Sequence, residues 1–176
     1  MARRTKIHVG LEIGTSKTCL VVGEVKADSA VKILGIGETK SAGVRKGEIF
    51  DYSQIRACLK DALAKAEDAS DVEIGSVFLA VTGSHIQGLN NRGTFRLPDG
   101  EPVVAPEHVE EARTIAREVH IPQDHVYLHP IIRNYWLDGL EHPSSPAGLF
   151  GKTVEADFHI VHGIGTRIQN SIKLVR

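Results

Sequence analysis

The stretch Ile7-His-Val-Gly-Leu-Glu-Ile-Gly-Thr-Ser-Lys-Thr-Cys-Leu-Val-Val-Gly23 constrains the fold more than any other part of the chain. An apolar run, a short polar insert and a second apolar run predict two strands, Lys6–Ile13 and Thr18–Val25, joined by a tight turn at Gly14-Thr-Ser-Lys17. Lys26-Ala-Asp-Ser-Ala30 supplies the chemistry of a second turn, and Val31–Glu38 reads as a third strand, completing an antiparallel meander. The near-continuous apolar character of the first two strands predicts burial on both faces. The first turn offers consecutive backbone N–H groups, two hydroxyls and an ammonium, which are the donors a phosphate oxyanion needs. Glu12, two residues before Gly14, is a candidate carboxylate for Mg²⁺ or for a water beside the phosphates. The spacing is not that of a Walker A loop, and such a turn can equally be a plain hairpin connection.

Composition narrows the partners. The formal net charge is −1, from 21 basic and 22 acidic residues, so no global field draws the chain to nucleic acid or to an acidic membrane. The basic lead-in Ala2-Arg-Arg-Thr-Lys6 lacks a signal-peptide pattern and is expected to be solvated. No run of 18 apolar residues exists, so no helical membrane span is expected. Cys19 and Cys58 form no C-x-x-C pair and are expected as buried free thiols in a reducing cytoplasm.

Downstream, Ser41–Asp51 reads as a loop with two glycines. A helix is predicted over Tyr52–Ala69, with Asp51 as N-cap and an apolar stripe of Ile55, Leu59, Ala62, Leu63 and Ala66, Cys58 beside it. Val77–Val81 is a strand candidate, followed by the polar, glycine-punctuated Thr82–Gly93, a short strand Thr94–Leu97 and a Pro98-Asp-Gly100 turn. Pro106–Val119 is an amphipathic helix with Pro at its first position and Val109, Ala112, Ala116 and Val119 on one side. His125–Leu137 and Thr153–His162 are extended, separated by a long loop over Asp138–Lys152. Thr166–Arg176 has helical spacing and ends on Arg176 without a cap, as though the element were cut.

Four blocks of sequence together resemble one family. They are Gly10-Leu-Glu-Ile-Gly-Thr-Ser-Lys17, Ser41-Ala-Gly-Val-Arg-Lys-Gly47, the block Val81–Gly93 containing Thr-Gly-Ser-His-Ile and Asn-Asn-Arg-Gly, and Val154–His162. The chain is similar, from about residue 7 to 176, to the FtsA family of bacterial cell-division proteins, a branch of the actin-like ATPases. The resemblance implies an α/β (α+β) fold: a partial actin-like (ribonuclease H-like) subdomain 1A over roughly 1–76 and 163–176. A strand-helix-strand-strand subdomain 1C would be inserted over roughly 77–162.

It also implies ATP and Mg²⁺ as cofactors, with Gly14, Thr15, Ser16 and Lys17 holding phosphate and Glu12 on the metal side. The implied partners are FtsZ, late division proteins and further copies of the same protein, at the cytoplasmic face of the inner membrane at the division site. Membrane contact would come through a C-terminal amphipathic helix, which is expected to be missing from this chain. Departures from the pattern are Glu12 where Asp is usual and Gly148-Leu-Phe-Gly151 where Gly-Met-Ser-Gly is usual. Members are also about twice as long or more. With one wall of the nucleotide cleft present, this polypeptide is expected to bind ATP weakly or not at all. Two other readings are a PilM-like pilus-assembly ATPase, which binds a short peptide of a pilus inner-membrane protein, and a non-enzymatic docking fragment.

No nucleophile–base pair or Gly-x-Ser-x-Gly elbow is present, so no catalytic residue is assigned. Among nine histidines, His125 and His129 would lie roughly 13 Å apart along a strand, too far to share a zinc ion. His159 and His162 would face opposite sides of theirs. His85 is expected to be a hydrogen-bonded loop residue, and Trp136 either core or an interface anchor.

Overall fold

The computed structural model describes residues 6–176; the basic lead-in over residues 2–5 lies outside the described residues. The described residues divide into two compact units, one running to His85 and taking in Thr166–Arg176, the other Ile86–Gly165.

The first unit is built on the expected meander. Strands β1 (Lys6–Ile13), β2 (Lys17–Val25) and β3 (Val31–Lys40) pair antiparallel, and β6 (Phe78–Ala80) joins the free side of β1 in parallel. Sheet order is β3-β2-β1-β6. Phe78–Ala80 therefore belongs to the opening sheet and not to an insertion starting at residue 77; the division into units falls after His85. Between β3 and β6 come a small hairpin, β4 (Val44–Arg45) and β5 (Glu48–Ile49), and helix α1 (Tyr52–Ser70). Lys46 and Gly47 both have positive φ, as a two-residue primed hairpin turn requires.

Asp51 caps α1 by accepting from the Gln54 N–H at 3.0 Å. Ile55, Ala62 and Ala66 of the predicted stripe are buried, and Leu59 and Leu63 pack at the margin of the same core. Leu174 of the last helix, α3 (Gly165–Val175), joins that core. The expectation of burial on both faces is corrected: β1 alternates, with Val9, Leu11 and Ile13 inside and Gly10 and Glu12 exposed. The helices of this unit cover one face of its sheet. Cys19 and Cys58 are half-buried free thiols, not fully buried ones.

The second unit is an all-antiparallel sheet of order β7-β10-β8-β9, made by β7 (Ile86–Arg96), β8 (His125–Leu137), β9 (Leu140–His142) and β10 (Thr153–Ile164). Helix α2 (Pro106–Arg117) packs on one face over Val154, Ala156, Phe158 and Ile160. The polar, glycine-punctuated stretch Thr82–Gly93 is largely strand, continuous with the predicted strand Thr94–Leu97. Gly88 and Gly93 mark close approaches instead of turns. A side chain on Gly93 would run into the backbone of Ala112 and Ala116 in α2, and one on Gly88 into the His159 ring at 2.7 Å. Helix α2 stops two residues early because Glu118 N–H is shared between the Thr114 and Ile115 carbonyls and Val119 N–H turns back to Arg117. The loop over Asp138–Lys152 contains β9, brought back by a turn at Asp138–Gly139 with both φ positive.

Candidate functional site

The parallel pairing of β1 with β6 brings the C-terminal ends of both strands to one end of the first sheet, the position where open α/β sheets gather ligands. The turn Gly14–Lys17 follows β1 there. Gly14 N–H donates to the Lys17 carbonyl at 2.9 Å, which closes the turn. A Cβ on Gly14 would stand 3.0 Å from that carbonyl, so the bare Cα keeps the turn tight.

The five candidate residues fall on two sides of this turn. Glu12 and Lys17 point to the open face of the sheet, where cross-strand pairing aligns Ala80, Glu12, Cys19 and Glu38 in one row. Lys17 Nζ donates to Glu38 Oε2 at 2.8 Å with both side chains half-exposed. That hydrogen bond and the Glu38 charge raise the lysine's pKa above its ordinary value. The open face also holds a hollow of about 220 Å³ bounded by Glu12, Cys19, Val21 and Phe78, with Phe78 68% exposed.

Thr15 and Ser16 are tied instead to the β4–β5 segment. Gly47 N–H donates to Thr15 Oγ1 at 3.3 Å, and Ser41 N–H donates to the Ser16 carbonyl at 3.0 Å. The fully buried Thr18 hydroxyl shares a 2.9 Å hydrogen bond with the Ser41 hydroxyl. The block Ser41–Gly47 is thus a buttress of the turn, a role its local pattern did not reveal.

A third loop, 82–85, follows β6 and meets the same hairpin. A Cβ on Gly47 would collide with the Thr82 carbonyl and come within 2.7 Å of Gly83 Cα. Gly83 in turn lies against the His85 ring and the Lys46 carbonyl. Glu48 is held by Arg167 of α3 and accepts from the Ser84 hydroxyl at 3.4 Å. His85 is 2% exposed, and neither ring nitrogen has a hydrogen-bond partner among the described residues, so the expectation of a hydrogen-bonded loop histidine is corrected. Burial pushes its pKa below the ordinary histidine value.

In the second unit the spacing argument separates His125 from His129 and His159 from His162, but it misses a pair that the sheet creates. His125 and His162, on neighbouring strands, place their Nδ1 atoms 2.6 Å apart. Only strand register could have revealed this. Among the described residues no group of three or more His, Cys, Asp or Glu is arranged to hold a metal ion. Trp136 is half-buried beneath the Arg92 guanidinium, 4.3 Å from the ring centre, on the face of the sheet away from α2. No helix among the described residues is long and apolar enough to cross a membrane.

Residues 83–162 match the SHS2 domain inserted in FtsA. The chain is 36% identical over 170 residues to cell division protein FtsA of Escherichia coli K12, covering 97% of this chain and 40% of that protein. It is 35% identical over 171 residues to FtsA of Pseudomonas aeruginosa, with the same coverage. It is 33% identical over 167 residues to FtsA of Borreliella burgdorferi, covering 95% of this chain and 40% of the relative. Among solved structures, a glycerol dehydratase reactivase aligns over 73% of this chain and 19% of its own, at 13% identity and a TM-score of 0.36, too low to carry an argument. Over the roughly two-fifths of their length that it spans, the chain is similar to the FtsA cell-division proteins, and its residues 83–162 match the SHS2 domain inserted in them.

Proposed function

We propose that this chain is the part of an FtsA-like protein that supplies one wall of a Mg–ATP cleft and a docking module. The observation that carries the reading is sequence identity above 30% along nearly the whole chain to proteins named for cell division. The first unit provides the nucleotide wall. Gly14, Thr15, Ser16 and Lys17 offer backbone, hydroxyl and ammonium donors at the C-terminal end of β1, a donor set that suits phosphate oxygens. Glu12 supplies a carboxylate on the metal side, and Mg²⁺ would neutralise phosphate charge. Lys17 would have to exchange its Glu38 partner for the ligand.

The second unit, with its SHS2 match, serves as the 1C docking module inserted into 1A. The whole protein would self-associate, tether FtsZ to the inner-membrane face at the division site and contact late division proteins. Immunofluorescence with antibodies against residues 86–165 tests the cellular role: a mid-cell band in dividing cells is expected. A polar or diffuse signal would sink it, and a polar one would point to the pilus-assembly reading. The single wall is held to bind weakly, so millimolar Mg–ATP should still shift the backbone amides of Thr15 and Ser16 in a heteronuclear spectrum; unmoved signals would remove nucleotide from the proposal.

A further inference from the structure

The β4–β5 turn touches the phosphate turn and carries two cations that no sequence motif assigns. Gly47 N–H reaches Thr15 Oγ1, while backbone at Thr82 and Gly83 on its other side leaves no room for a side chain. This pins the turn in place, with Arg45 and Lys46 exposed at its tip. They line a hollow of about 550 Å³ with Glu48, Ile49 and Phe50. Glu48 is engaged by Arg167, and neither Arg45 nor Lys46 forms an ion pair among the described residues. Lys17, by contrast, is paired with Glu38. His85, behind the same turn, is kept neutral near pH 7 by burial and brings no charge. Lys40, opposite Lys17 on β3, also has no ion pair among the described residues but shares the open-face side with Lys17; on the hydroxyl side of Gly14–Lys17 the cations without a carboxylate partner are Arg45 and Lys46.

Resting on the nucleotide reading above, we propose that Lys46, with Arg45 beside it, is the principal cationic contact for the ligand's polyphosphate, and that Gly47 is the residue that positions it. An ammonium beside a phosphate gives a charge-assisted contact, and removing one weakens binding by roughly tenfold. Lys17 contributes less, because Glu38 competes for its ammonium.

The test compares Lys46→Gln, Lys46→Arg, Lys17→Gln and Gly47→Ala in the intact chain. Each is titrated with Mg–ATP and, separately, with inorganic tripolyphosphate, following the amides of Thr15 and residue 47, with far-ultraviolet circular dichroism to establish folding. Lys46→Gln should weaken both ligands about tenfold and flatten the salt dependence of binding, and Lys46→Arg should restore both. Lys17→Gln should change affinity less than about threefold. Folded Gly47→Ala should lose the Thr15 response. Equal weakening of ATP and tripolyphosphate ties the contact to phosphate; weakening of ATP alone would overturn it. If Lys17→Gln weakens binding and Lys46→Gln does not, the nucleotide reading stands and this inference falls. Absence of any response at Thr15 in the unsubstituted chain at millimolar tripolyphosphate overturns both.

Discussion

In the first unit α1 lies on Gly35 and Gly37 of β3; in the second, α2 lies on Gly93 of β7. Gly35 meets the Ala69–Ser70 end of α1, while the helix surfaces against Gly37 and Gly93 are alanines, Ala62 and Ala66 in one case and Ala112 and Ala116 in the other, all fully buried. Both units therefore bring helix backbone down onto strand backbone with small residues on each side of the contact. They differ in what they leave uncovered. The first sheet contains a parallel pair, so two strands end together and their following loops converge with the β4–β5 turn. The second sheet is antiparallel throughout, so its strand ends alternate and its polar groups spread over a face. There Arg92 bridges to Glu155 at 3.2 Å above Trp136, and Arg133, bulged out of register, reaches Asp157 at 3.1 Å. The same packing device thus supports a convergent end in one unit and a charged, aromatic surface in the other.

The comparison breaks first if the glycines are not what brings each helix down. Gly37→Val and Gly93→Val should each destabilise by more than about 3 kcal/mol, since the new side chain meets helix backbone that cannot yield. Gly10→Ala, with nothing within 4 Å of its Cβ position, should cost less than about 1 kcal/mol. Hydrogen exchange resolved by unit measures all three, and loss of protection confined to the other unit would refute the assignment. Next, Asp51→Ala should cost about 1 kcal/mol by removing the α1 cap. Helix α2 has no side-chain cap at Ala105, so Ala105→Ser should stabilise the second unit by a comparable or smaller amount. Urea titrations of both variants check the pair.

Acid response sharpens the contrast further. Burial holds both His85 and His162 below the ordinary histidine pKa of 6.5, and the charge of His125 adds to the effect at His162. For a histidine depressed in the fold, the unfolded chain takes the proton first as pH drops. The stability present above pH 6.5 is therefore lost progressively below it. Both units should weaken between pH 7 and 5. His125→Asn should reduce that loss in the second unit only, as read by unit-resolved exchange at the two pH values. An equal change in the first unit would contradict the pairing. The smallest effect belongs to Lys17→Gln, whose exposed partner Glu38 predicts no measurable shift in thermal midpoint.

Much of this architecture was readable from side-chain periodicity. The meander, α1 with its Asp51 cap, α2 from Pro106 and the long strands at 125 and 153 all follow from apolar spacing and turn chemistry. β7 escaped that reading because its polar residues and glycines look like loop composition, whereas the glycines are there to admit α2 and the His159 ring. The Gly14–Lys17 turn was legible as a donor set. Its attachment to Ser41 and Gly47 was not, because residues some 25 to 32 positions apart meet only once the sheet has formed.

What the chain's sequence settled alone is local: where most strands and helices lie, which helix stripe is apolar, and which turn carries hydroxyl, ammonium and backbone donors. Those are properties of short windows, governed by backbone sterics and hydrophobic period. Tertiary structure alone decided which faces were buried, which histidines became neighbours and which cations stayed unpaired near the turn. These depend on register and on the parallel return of β6, long-range contacts whose partners no short window contains.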